Sequence, residues 1–370
     1  MVYYLAAIVT GLIFAHGGRK APKPLPKVPP RVALLKPLQG VTEHLTANII
    51  SYLELAYSRA EYIFGVSSYE DRASDVPVGL RAPYQFAQIT VTVGEEPGCT
   101  NRKVAKLIRM SERISEKADI FVLSDADVSV EPDHLKRIVS ELMENPKTGI
   151  VTSVYRGMPH ESFASRLEAL FINTDFAPQV ILAEAMEPMH YALGATIAIK
   201  REALEAIGGF RALKDLLADD FHLGRKVSDA GYDIRLSSSV VTVSCEDHEF
   251  LDFWNHQLRW ARTYRSVRPL SLATIMIHGP FWAVVYVLAT GFSLHSLYAL
   301  AMVLGTRILM AAVMVAQVLR LPEHVSDVWL TPLKDLMMTG IYLFSLTGKT
   351  VRWGGRRFKL MAGGVMRELA

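Results

Sequence analysis

Ile120-Phe-Val-Leu-Ser-Asp125-Ala-Asp127 is the stretch on which the reading of this chain turns. Four apolar residues in a row suit a short buried strand and are too few for a helix. They run straight into two carboxylates spaced two apart, which are costly beside an apolar interior unless something uses them. In a loop the pair can point the same way and hold a hard divalent cation. Mg²⁺ or Mn²⁺ takes oxygen ligands and commonly also oxygens of a substrate phosphate. An Asp-x-Asp also occurs in surface turns, so it is the apolar run before it that gives this pair weight.

Working outward, strand-like and helix-like runs alternate around that stretch. Strands are expected over 31–37, 61–66, 86–93, 149–155, 191–199 and 239–244. Helices are expected over 42–55 and 101–117, and another from Asp133; Val104, Leu107, Ile108 and Ile114 recur at helical spacing in the second. Such alternation predicts an α/β domain, a mostly parallel twisted sheet with helices on both faces. Ligands of such sheets sit beyond the carboxyl ends of the strands, which is where Asp125 and Asp127 fall.

The ends have a different character. Half of the 370 residues are hydrophobic, and the mean hydropathy of +0.20 is high for a water-soluble protein. No Asp, Glu, Lys or Arg occurs in 1–18 or from Pro269 to Thr306, whereas charges are frequent between Arg19 and Arg268. The first apolar run is followed, not preceded, by Arg19, Lys20, Lys23, Lys27 and Arg31. That order predicts a retained anchor with the next domain in the cytosol rather than a cleaved signal. Apolar stretches over 272–291 and 293–319, the second interrupted only by Arg307, read as two crossings. The short stretch 336–348 reads as re-entrant or interfacial, because a third full crossing would put Arg352, Arg356, Arg357 and Lys359 outside. The expected organisation is an anchor (1–18), a Pro- and Lys-rich linker (19–30), a catalytic domain (31–268), membrane segments (269–350) and a basic tail (351–370). The whole reads as a multi-pass integral membrane protein, suited to a bacterial inner membrane.

Cys99 and Cys245 form neither a disulfide framework nor a zinc spacing. With no Asn-x-Ser/Thr sequon, a reducing compartment fits. Arg259, Arg262, Arg265 and Arg268 cluster just before the long apolar stretch. A nucleic-acid patch is the rival reading of such a cluster, but its place at a membrane edge favours anionic headgroups or a nucleotide diphosphate.

Two other constellations carry chemistry. Asp219-Asp220 suits a helix start, where the dipole favours acids, and a carboxylate there can equally act as a general base. His256-Gln-Leu-Arg259-Trp260 closes the polar block. Arg259 offers a planar fork for a diphosphate and Trp260 a flat face for a sugar or lipid, although the same residues suit a plain juxtamembrane helix. No Gly-x-Gly-x-x-Gly follows the first strand. Gly348-Lys349-Thr350 is no Walker A loop, since Leu343 stands where a glycine is required.

Taken in order over 32–270, these motifs resemble the ceramide glucosyltransferase family, glycosyltransferase family 21, whose fold is of the GT-A type. The resemblance rests on Leu35-Lys-Pro-Leu-Gln-Gly, Asn101-Arg-Lys103, Ser124-Asp-Ala-Asp, Gly194-Ala-Thr-Ile with Gly208-Gly-Phe, Ala218-Asp-Asp-Phe and the closing motif. The run from His256 to Leu270 is most similar to the bacterial branch associated with hopanoid lipids.

The resemblance implies a UDP-sugar donor and an Mg²⁺ or Mn²⁺ ion. Asp125 would bind ribose or metal, Asp127 the metal, and Lys103, beside Asn101, would lie near the diphosphate. Asp220 would be the base, beside Asp219, with His256, Arg259 and Trp260 closing the site. Ser68 stands where the family holds the uracil with an acid, so Glu70 or Asp71 is expected to substitute, and His256 stands where the closing motif usually has Gln or Arg. The implied reaction is one inverting displacement onto a lipid hydroxyl, of ceramide or a hopanoid polyol, with glucose or N-acetylglucosamine transferred. A membrane polysaccharide synthase and a non-catalytic scaffold are the alternatives. The former would need more spans, and the latter would not need Asp220.

Overall fold

The computed structural model describes residues 1–370 except Arg19, Ser115, Glu116, His248 and Ala370. Arg19 of the basic run, and positions 115 and 116 of the helix expected over 101–117, therefore lie outside the described residues.

In chain order the elements begin with α1 (Val2–Gly18), β1 (Val32–Pro37), α2 (Leu45–Leu53), β2 (Ala60–Val66), α3 (Asp75–Leu80), β3 (Gln88–Val93) and α4 (Arg102–Ser111). Then come β4 (Ile120–Ser124), β5 (Val128–Ser129), α5 (His134–Met143), β6 (Thr148–Pro159), α6 (Phe163–Phe171), a π-helical turn Ile172–Phe176 and α7 (Ala177–Met186). Next are β7 (Thr196–Lys200), α8 (Arg201–Ala206), α9 (Asp219–Asp229), β8 (Asp233–Cys245) and α10 (Phe250–Val267). Last are α11 (Gly279–Ala289), α12 (Leu294–Val313), α13 (Thr331–Ser345), β9 (Thr350–Trp353), β10 (Arg356–Leu360) and β11 (Met366–Glu368). The chain forms two compact units, each built from separate segments: Lys20–Tyr155 with Glu187–Ser244, and Met1–Arg19 with Arg156–Met186 and Cys245–Ala370.

The first unit is organised by an eight-stranded sheet of order β3-β2-β1-β4-β7-β6-β8-β5. The expected parallel arrangement is found in β3-β2-β1-β4. Beyond β4 the sheet is mixed: β7 is antiparallel to β4 and to β6, and β5 is antiparallel to β8. Every residue of β1 and β4 is buried, including Lys36 at 0% exposure. This is the pattern of a strand covered on both faces. Asn101 starts α4, its side chain accepting the Val104 amide at 3.1 Å. The helix ends at Ser111, earlier than the sequence suggests.

The unit of the chain ends is mostly helical, and its polarity is inverted. Val9 is 57% and Ile13 67% exposed on α1, while Arg307, Lys334 and Asp335 are at most 1% exposed. Leu294–Val318 is the one helix, among the described residues, long and apolar enough by itself to cross a membrane. The first expected crossing is instead a bent pair, Pro269–Ile277 and Gly279–Ala289, turned by 65°. Pro280 explains the break, since it lacks the N–H that would continue the first helix. α1 is a shorter apolar helix of 17 residues, and α13, of 15, carries Lys334 and Asp335.

The buried charges of this unit are matched. Arg307 donates to Asp335 at 2.8 Å, to Asp175 at 2.5 Å and to the Thr174 carbonyl at 3.0 Å. Lys334 meets Asp175 at 2.6 Å and Asp335 at 2.7 Å. The stretch expected as a basic tail forms a three-stranded antiparallel sheet, β11-β10-β9.

Candidate functional site

β4 delivers the acids. Its register against β1 sets Leu35 opposite Leu123, which carries Lys36 up to the start of the acidic loop. There the Lys36 ammonium donates to the carbonyls of Asp125 and Val128 at 2.6 and 2.9 Å and to Ser124 Oγ at 3.3 Å. Tyr52 braces the same point, its hydroxyl 2.6 Å from Ser124 Oγ. Asn48 donates to the Ala126 carbonyl at 3.3 Å. The loop that bears Asp125 and Asp127 is thus pinned on its backbone, and its carboxylates are left for other work.

α4 and α9 complete the cluster. Lys103 lies in the first turn of α4 and reaches Asp125 at 2.5 Å and Asp219 at 3.5 Å. Asp219 and Asp220 occupy the first turn of α9, the position that a helix dipole favours for acids. Asp220 Oδ1 accepts the Phe221 amide at 2.8 Å. Gly194, at the entrance to β7, is the reason the acids can converge. A Cβ there would stand 2.9 Å from Asp220 Oδ2 and 3.6 Å from Asp125 Oδ2.

The electrostatics follow from crowding. Burial, and then the charge of Asp125, push the Asp127 carboxyl up to about 7. Burial and the adjacent Asp219 raise Asp220 to about 6, and burial raises Asp219 as well. Burial alone would lower Lys103, but Asp125 and Asp219 hold it above the ordinary lysine value. Lys36, buried and with no carboxylate within 4 Å among the described residues, is lowered to about 7, burial being the larger cause.

Carboxylates that resist ionisation together would be relieved by a divalent cation. Asp125 and Asp127 supply the hard oxygen donors that Mg²⁺ or Mn²⁺ takes, so the donor set fits such an ion.

The structure thus brings Lys103, Asp125, Asp127, Asp219 and Asp220 together. Asn101 is committed to structure, capping α4 and donating to the Leu216 carbonyl at 2.7 Å. Asp71 accepts the Gly40 amide at 3.1 Å and the Ala73 amide at 3.0 Å, which fixes the loop after β2, and Glu70 is exposed in the preceding turn.

His256, Arg259 and Trp260 form a second cluster on α10, within the other unit. His256 Nδ1 lies 2.5 Å from Glu168. Trp260 packs its edge against Phe171, Phe176 and His256. Arg259 lines a cleft of about 500 Å³ with Arg262, Arg352 and Arg357.

Sequence reasoning missed Lys36 and Glu168. A lysine inside an otherwise apolar strand was the available signal for the first. Glu168 carries none, because its partner is far along the chain.

A model of glycosyl transferase family 21 matches residues 1–366. Ceramide glucosyltransferase 1 of Caenorhabditis elegans is 22% identical, the alignment covering 99% of this chain and 79% of that protein. Ceramide glucosyltransferase 3 of the same organism is 23% identical over 90% of this chain and 74% of that protein. Among solved structures, the mannosyltransferase PcManGT from Pyrobaculum calidifontis, in complex with GDP-Man and Mn²⁺, is similar with a TM-score of 0.51. Its identity is 18%, over 93% of this chain and 96% of that one.

Proposed function

The chain belongs to glycosyl transferase family 21, and from that premise we propose that it moves a sugar from a UDP-sugar to a hydroxyl of a membrane lipid, inverting the anomeric carbon. The observation that carries the reading is the convergence of Asp125, Asp219, Asp220 and Lys103 at the end of the central strand. Lys103 engages Asp125 and Asp219, and Asp220 has no cationic partner within 4 Å among the described residues. A carboxylate raised to about 6 is ionised near neutral pH and still basic enough to take a proton in the transition state.

Asp220 therefore accepts the proton of the acceptor hydroxyl as that oxygen bonds to the anomeric carbon. The bond from that carbon to the β-phosphate oxygen breaks, and UDP leaves. Asp127, with Asp125, would hold Mg²⁺ or Mn²⁺, which when bound offsets charge growing on the leaving diphosphate. Lys103 adds a fixed positive charge beside Asp125, and the Lys36 contacts keep the acidic loop from relaxing. From the family motif, Arg259 and Trp260 are assigned to the diphosphate and the acceptor, and Glu70 or Asp71 to the uracil contact.

The acceptor class rests on the apolar unit. Leu294–Val318, 25 residues long and with a mean hydropathy of 2.1 over an 18-residue window, spans a hydrocarbon core of about 30 Å with length to spare. We place it, with the bent pair and α1, in the bilayer, and the sheet unit in the cytosol. A ceramide or a hopanoid polyol carried in that bilayer is the acceptor class this reading favours. Incubating membranes with labelled UDP-glucose or UDP-N-acetylglucosamine and extracted lipids, followed by chromatography, tests the reading. A labelled lipid that fails to form with Asp220→Asn is the expected result. A labelled polymer in place of a lipid product would overturn it.

A further inference from the structure

We propose that the cleft between α10 and the β9–β10 hairpin is a phosphoanion site, in which Arg352 and Arg357 of the hairpin act with Arg262 of α10. The cleft encloses about 500 Å³, room enough for a phosphate-bearing headgroup or a diphosphate, and among its lining residues are four arginines and a histidine but no acid.

Register makes this more than a basic surface. Arg352 and Arg357 face one another directly across the strand pair, and like charges placed opposite one another on a sheet are destabilising. The hairpin does have a carboxylate available in Glu368, but it pairs with Arg356 at 3.1 Å. Neither Arg352 nor Arg357 has an ion-pair partner among the described residues. Guanidiniums on two facing residues each carry a planar fork of donors, which suits bidentate binding of phosphate oxygens.

The site is also built to hold still. Gly354 and Gly355, at φ 55° and 77°, make the two-residue turn with both central residues left-handed that matches strand twist. Val351 and Phe358 bury the hairpin's other face. Arg262 donates to the Thr350 carbonyl at 2.6 Å and Arg265 to the Gly348 carbonyl at 2.5 Å, which ties α10 to the start of the hairpin. Gly348 leaves the space that Arg262 fills, since a Cβ there would come within 2.8 Å of its guanidinium. The Arg262 Nε is buried with no hydrogen-bond partner among the described residues, and burial with the nearby Arg265 pushes that guanidinium below its usual pKa. An anion in the cleft would relieve all three arginines.

The phosphate has two possible sources, an anionic lipid headgroup or the diphosphate of a nucleotide. The proposal does not depend on transfer activity, so it is tested by binding. The full chain in phosphatidylcholine nanodiscs is titrated with labelled pyrophosphate at low salt, in EDTA so that the acid cluster cannot hold a phosphate through a cation. Arg352→Gln/Arg357→Gln should weaken binding at least tenfold and leave the unfolding temperature unchanged or higher, and Arg356→Gln should bind as the parent does. Each single substitution is measured too, in case the double variant fails to fold. Competition by UDP in these discs identifies the nucleotide as the source. Loss of pyrophosphate binding in discs containing phosphatidylglycerol identifies the headgroup. Equal binding by parent and double variant, or an equal loss with Arg356→Gln, overturns the proposal.

Discussion

In the sheet unit four carboxylates, Asp125, Asp127, Asp219 and Asp220, share one corner with two lysines, Lys36 and Lys103. In the unit of the chain ends, two carboxylates, Asp175 and Asp335, meet one arginine and one lysine. The second set is balanced in charge, almost fully buried and bonded on most of its atoms. It is a fastening between helices. The first set has an excess of negative charge at a partly open site, and three of its acids resist ionisation. An excess of about two negative charges is what a divalent cation and a proton transfer can use. Identical residue types thus do opposite work, and the local charge balance tells the two apart.

If the charge balance separates the two sets, removing a charged member should have different consequences in each. Asp127→Ala should abolish transfer and any stimulation by Mg²⁺ or Mn²⁺ while leaving the unfolding temperature near that of the parent. Full activity of the parent in EDTA would sink the metal role. Asp220→Asn should lower the rate of transfer by about 10²–10⁴, the usual loss of a general base, with UDP binding kept. Asn still caps a helix, so a capping role alone predicts little change. Asp219→Asn should cost less, because Asp219 is already paired with Lys103.

Arg307→Met tests the balanced set. It leaves two buried carboxylates with only Lys334, and removing one partner of a buried ion pair costs about 3–5 kcal/mol. The expected outcome is a much smaller yield of folded protein in detergent, with the molecules that do fold keeping their turnover. A fall in turnover at unchanged stability would instead make the set part of the chemistry.

How much of this was legible in the sequence depends on range. The acidic loop could be read because an apolar strand and two acids are adjacent in the chain. The α9 acids could be read from helix-start chemistry, which is also local. Lys36 escaped because its role depends on which strand lies beside β1 and in what register. Arg307 stood out as the one interruption of an apolar stretch, but Asp175 and Asp335 lie 132 and 28 residues away, and no periodicity reveals such partners. Two signals were present and were not used. Gly354-Gly355 between short runs rich in Val, Trp and Phe is a hairpin turn, and Gly279-Pro280 is a helix break.

The acid limb of the pH profile sharpens the assignment further. A base raised to about 6 is protonated, and useless, below that value, so kcat/KM should rise through about pH 6 and flatten above it. The same shift has a sign in stability. The folded state binds this proton more tightly than the unfolded chain, whose Asp titrates near about 4. The metal-free protein should therefore lose some stability as pH rises from about 4 to 6. Asp220→Asn should remove the limb from the activity curve and lessen the stability slope without abolishing it, because Asp127 and Asp219 are raised as well. An unchanged stability profile would mean that Asp220 is not the group that titrates there.

The smallest expected effect comes from the residue that makes room for the acids. Gly194 needs no unusual backbone angle, so Gly194→Ala should not strain the chain. Its Cβ would stand 2.9 Å from Asp220 Oδ2, closer than real contacts allow, and the carboxylate is the part free to move. A displacement of a few tenths of an ångström leaves folding intact and shifts the base relative to the acceptor oxygen. Misplacement of a reacting group by about 1 Å can cost 10²-fold, so a smaller shift predicts a loss nearer tenfold. The loss should fall on kcat, with donor affinity and the metal requirement unchanged, because Asp127 is not displaced. If Gly194→Ala instead weakens metal binding and leaves kcat alone, the crowded carboxylate belongs to the cation rather than to the acceptor, and Asp220 and Asp125 exchange roles.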